Sequence, residues 1–117
     1  MPKIITVITK NESDPWVLLN QEVSATVFTQ EERDTIIAPY VEYTRALPGI
    51  QVNQITGVFQ DNTFTSTLVF DTAENTSNAY QKLFGTNLDP VVVAKNSLFK
   101  NKMQNLGISY SVQVAIE

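Results

Sequence analysis

At 117 residues, with a net charge of 8 − 12 = −4 and only 17% charged side chains, the chain has the size of one domain, and its mild acidity argues against a nucleic-acid surface. Cysteine and histidine are absent, which excludes disulfides, Cys/His zinc sites, thiol nucleophiles, histidine bases and histidine-ligated haem. No run approaches the roughly 18 apolar residues of a membrane span and no basic-then-apolar leader opens the sequence, so neither a membrane partner nor signal-peptide secretion is expected.

The first segment, Lys3-Ile4-Ile5-Thr6-Val7-Ile8-Thr9-Lys10, is β-branched and apolar at odd and even positions alike. A strand of that pattern has both faces partly covered and belongs in the middle of a sheet. The polar run around Pro15 breaks it, and residues 11–28 read as an irregular insertion or arm whose conformation stays open. At Thr29-Gln30-Glu31-Glu32 a helix begins: Thr29 caps, Glu32 completes a capping box, and the acids meet the positive end of the dipole. Its apolar stripe is Ile36, Tyr40, Tyr43 and Leu47, and Pro39 inside it predicts a kink or split near Ala38. Leu47-Pro48-Gly49 ends it.

Ile50 to Gln60 predicts a strand whose alternation slips, with a bulge near Asn53-Gln54. Asp61-Asn62 makes a two-residue hairpin turn, since both types tolerate positive φ. Thr63 to Asp71 returns with Phe64, Ser66, Leu68 and Phe70 on one side. Asp71-Thr72-Ala73-Glu74 starts a second helix running to Gly85, and Asp89-Pro90 opens a third. The third helix carries a stripe of Val92, Phe99, Met103 and Leu106, and Gly107 stops it. In the last strand Ile108, Tyr110, Val112, Val114 and Ile116 face the core.

The order β-α-β-β-α-α-β predicts one α+β domain over residues 1–117: a ferredoxin-like sandwich, with a four-stranded antiparallel sheet covered by helices on one face. Two local patterns stand out: the helix exit Arg45-Ala46-Leu47-Pro48-Gly49-Ile50-Gln51-Val52 and the strand-to-capped-helix step Leu68-Val69-Phe70-Asp71-Thr72-Ala73-Glu74-Asn75. Both resemble the dimeric α+β barrel superfamily, which includes antibiotic-monooxygenase-like domains. The resemblance implies two sheets paired face to face around a pocket. Enzymes of that group use His, Asn, Trp or Tyr there, and no catalytic residue carries across to this histidine-free chain.

The second face of the sheet is the more informative. It carries Thr63, Thr65, Thr67, Ser109, Ser111 and Gln113, small and uncharged where a solvated face usually carries Lys and Glu. These six are the candidate interface. Trp16, Tyr40 and Tyr43 are the candidate pocket, set against the simpler reading of a packed helix stripe. Glu31, Glu32 and Asp34 are explained by capping rather than by a metal, and Lys95, Lys100 and Lys102 read as a solvated helix face. Pro2 is read as the start of a strand.

The leading expectation is a non-enzymatic structural protein without cofactor or metal. It acts by self-association or by packing on a larger assembly, in the cytoplasm or in a virion, since its Asn/Thr-rich, Cys-free composition is similar to minor structural proteins of tailed phages. The alternative is a dimeric α+β barrel enzyme or small-molecule binder, monooxygenase-like, with its pocket near Tyr40, Tyr43 and Trp16.

Overall fold

The computed structural model describes residues 1–11 and 28–117. Trp16 and all but the ends of the expected 11–28 arm therefore lie outside the described residues. The elements are strand β1 (Lys3–Lys10), a helical run α1, strands β2 (Ile50–Gln60) and β3 (Thr63–Phe70), helices α2 (Ala73–Phe84) and α3 (Pro90–Asn105), and strand β4 (Tyr110–Ile116). The run α1 comprises a first turn, Gln30–Glu32, a π turn, Arg33–Ile37, and an α-helix, Ala38–Arg45.

Each start follows from a local side chain. The Thr29 hydroxyl accepts from the Glu32 N–H at 3.1 Å while the Glu32 carboxylate accepts from the Thr29 N–H at 2.9 Å, a complete capping box. Thr72 caps α2 through the Asn75 N–H, and Asp89 caps α3 through the Val91 N–H. The break expected from Pro39 takes the form of the π turn just before it. Pro39 has no N–H for Thr35, the Ala38 N–H reaches back to the Arg33 carbonyl, and the Thr35 hydroxyl donates to the Glu31 carbonyl at 2.7 Å.

The four strands form an antiparallel sheet in the order β2-β3-β1-β4, with the apolar β1 inside as its pattern requires. The β2–β3 register slips between Ile50 and Ile55, placing the expected bulge. In the hairpin turn only Asp61 adopts positive φ, at 51°; Asn62 does not share it. Helices cover one face, giving the ferredoxin-like α+β sandwich.

The core on that face divides in two. One cluster holds Ile4, Leu47, Leu68, Phe70, Ala79, Leu83 and Val92. The other is centred on Met103, with Ile8, Phe59, Phe99, Ile108 and Tyr110 around it. Three expectations of burial fail at the margins. Leu106 is 44% exposed because it lies beyond the last turn of α3. Val112 and Ile116 point to the helix side, as expected, but each is 48% exposed because β4 is the sheet's edge.

Candidate functional site

The gap between the two core clusters follows from the sheet register. Reading across the strands on the helix side, one row is Ile55, Leu68, Ile4 and Ile116, and another is Phe59, Phe64, Ile8 and Val112. Between them runs Gly57, Ser66, Thr6 and Val114. Three neighbouring strands thus place small residues side by side, and two of them, Thr6 and Ser66, line the space below the helices. The Phe64 ring leans over the glycine, 3.0 Å from where a Cβ would sit on Gly57. It also stacks on Phe59 at 4.4 Å.

The outcome is a pair of adjoining clefts of about 380 and 390 Å³ that share Ile8, Tyr40, Val41, Phe64 and Lys95. Phe28, Ile37, Phe59 and Phe99 complete the first; Thr6, Ser66, Leu68 and Phe84 line the second. Volumes of this size fall at the lower end of small-molecule sites. The lining is aromatic and aliphatic with a few cationic groups: Arg33 in the first cleft, Arg45 in the second and Lys95 in both.

Lys95 is the least expected member. Its Nζ lies 4.8 Å from the centroid of the Tyr40 ring and 5.5 Å from that of Phe99, within cation–π range of both. Burial pushes its pKa down, because an ammonium loses hydration in the cleft, and burial likewise pushes the Tyr40 phenol up. No acidic side chain among the described residues lines either cleft. Arg33 Nε is buried with no hydrogen-bond partner among the described residues, and the Thr44 hydroxyl lies beside the Tyr40 phenol.

Of the candidate pocket residues, Tyr40 lines both clefts. Tyr43 does not; it packs against the first core cluster. Trp16 lies outside the described residues. The solvated-face reading of the lysines fails at two of three positions. Lys95 sits in the cleft, and Lys102 pairs with Glu32 at 2.7 Å, which holds that carboxyl below its ordinary value. Among the described residues no group of three acids could hold a metal ion.

The sequence contained a signal for Lys95. It falls three residues after Val92 and four before Phe99, inside the apolar stripe of α3, where a lysine head must cross buried territory.

Five of the six candidate interface residues share rows on one face, and the sixth, Ser109, precedes the strand. Across β3, β1 and β4, Thr63 neighbours Thr9 and Ser111, and Thr65 neighbours Val7 and Gln113. Thr67 neighbours Ile5 and Ala115 in the next row, and Ser109 lies just before β4. With Thr56 and Val58 of β2 extending the rows, this open face is uncharged over its centre.

No known protein family matches the chain, and no curated protein matches it. Among solved structures, the crystal structure of a dimeric ferredoxin-like protein from an uncultured marine organism is similar in trace. It is 8% identical at a TM-score of 0.47, covering 99% of this chain and 92% of that one.

Proposed function

We propose that this chain is a small-molecule-binding protein whose site is the cleft between α1, α3 and the sheet. The observation that carries the reading is the Gly57–Ser66–Thr6 row. Thr6 and Ser66, small side chains on adjacent strands, floor a space that large apolar residues fill on either side, and Gly57 beside them seats the Phe64 ring that lines both clefts. Cores are normally packed to crystal-like density, so an opening floored by small side chains on two strands suits a bound molecule. No catalytic residue is assigned. The test is ligand-observed NMR with neutral aromatic amides, comparing the wild type with Ser66→Leu, which fills the floor. Binding by the wild type and loss in the variant is the expected result. No binding of neutral aromatic amides or of the corresponding carboxylates refutes the reading.

A second reading rests on a different observation, the uncharged open face of the sheet. Rows of Thr, Val and Ile without Lys or Glu suit packing against a second copy, and the composition extends this to a place in a larger assembly such as a virion. Light scattering over a concentration series tests it. The expected result is an oligomer that Thr65→Arg with Ser111→Arg reduces to monomer; an unchanged native mass refutes it.

A further inference from the structure

The lining of the clefts has a charge pattern unlike that of the rest of the chain. The whole sequence is acidic, at −4, yet three of its eight basic residues, Arg33, Arg45 and Lys95, line this one space, and none of the described acids does. Arg45 reaches solvent, but Arg33 and Lys95 are half-buried in the first cleft, where two like charges without a counter-charge are electrostatically expensive.

The donors in the cleft are also idle. Arg33 Nε is buried and has no acceptor among the described residues. Lys95 has no ion pair among the described residues and is offset only by the faces of Tyr40 and Phe99. A buried donor left unmade carries the full desolvation penalty of its group, and native structures rarely keep several in one place. A ligand that brings acceptor oxygens would satisfy them. Arg33 is held at the first position of the π turn, the kind of helix irregularity that recurs at functional sites.

Resting on the small-molecule reading above, we infer that the ligand is an amphiphilic organic monoanion. Its carboxylate meets Lys95 and Arg33, and its apolar body lies along Ile8, Ile37, Phe64 and Phe99. A carboxylate accepts from an ammonium and a guanidinium through two oxygens, whereas a neutral ligand leaves both cations unmatched. The body is either a flexible alkyl chain or a fused aromatic ring system, since the lining supplies both aliphatic and aromatic contacts.

The experiment is calorimetric titration at pH 7 with decanoate and 2-naphthoate, each against its uncharged primary amide. The carboxylates are expected to bind at least tenfold more tightly than their amides. Whichever carboxylate is tighter identifies the body and supports the inference. Lys95→Met should lower carboxylate affinity about tenfold to a hundredfold, the range of a hydrogen bond to a charged group, and change amide affinity far less than that. Arg33→Gln should act in the same direction. Carboxylate and amide bound equally by the wild type, a comparison needing no variant to fold, overturns the charge inference while leaving the small-molecule reading standing. Amide bound more tightly than carboxylate does the same. No binding of either class overturns both.

Discussion

Replacing Lys95 by methionine should make the protein more stable, and the size of the effect follows from its surroundings. Withdrawing an ammonium from water with no counter-charge costs several kcal/mol even after relaxation. The rings of Tyr40 and Phe99, 4.8 and 5.5 Å away, return about 0.5–2 kcal/mol each. Methionine keeps an unbranched stem and packs against both rings without the charge. The expected gain at pH 7 is about 1–3 kcal/mol, or roughly 4 °C in Tm per kcal/mol for a chain of this size. The pH dependence supplies the sharper check. Burial lowers the Lys95 pKa below its ordinary 10.5, so the folded protein releases this proton before the unfolded chain does. Between those two values the unfolded state binds more protons, and wild-type stability rises with pH. The penalty is complete below the folded pKa and gone above the unfolded one, so the advantage of methionine shrinks across that window. Tyr40 titrates with the opposite sign, since burial raises its pKa. Urea unfolding from pH 7 to pH 10.5, with equal m-values for the pair, measures it. A variant less stable at pH 7, or a difference that does not move with pH, would refute the picture of an uncompensated ammonium.

Three shorter predictions concern the frame around the cleft. Thr29→Ala removes the cap of α1 and should cost about 1 kcal/mol in chemical denaturation. Glu32 is bound in the same capping box and by Lys102, so its carboxyl pKa lies below 4.5; that contribution is present above pH 4.5 and is lost as the pH falls through the folded value, which acid titration of wild type against Glu32→Gln will show. Gly57→Ala places a methyl 3.0 Å from Phe64, and the ring must turn toward the cleft; a loss of about 1–2 kcal/mol and weaker binding of amides and carboxylates alike are expected from urea and calorimetric titrations.

How much of this was legible depended on how far apart the determining residues lie. Caps, the Pro39 break and the Asp61 turn involve neighbours within about five positions, and these read correctly, as did the bulge, which shows as a change of parity within one strand. The alternation of β4 was equally visible, but the exposure of Val112 and Ile116 depends on which strand becomes the edge, and a single strand does not contain that information. The cleft was invisible for the same reason. Thr6 and Ser66 are sixty positions apart and Gly57 and Ser66 nine, and only the register sets them in a row. Lys95 was different: its place in the α3 stripe could be read, but habit assigns a lysine to solvent.

The two faces of the sheet keep the two functional readings separable. Successive residues of β1 point to opposite sides, so Thr6 and Ile8 belong to the helix-side rows while Ile5 and Val7 sit in the uncharged rows outside. The side chains of one site thus do not touch those of the other, and the shared element is backbone. Lys95→Met should therefore change carboxylate affinity without changing native mass, and Thr65→Arg with Ser111→Arg should do the reverse. Thr65 is the informative position, because it lies between Phe64 and Ser66, both of which line the clefts. A change in ligand affinity on losing the oligomer would mean that packing on the outer face fixes the strand positions that hold the cleft open. Independence would mean that the β2-β3-β1-β4 sheet is stiff enough by itself to maintain the Gly57–Ser66–Thr6 row.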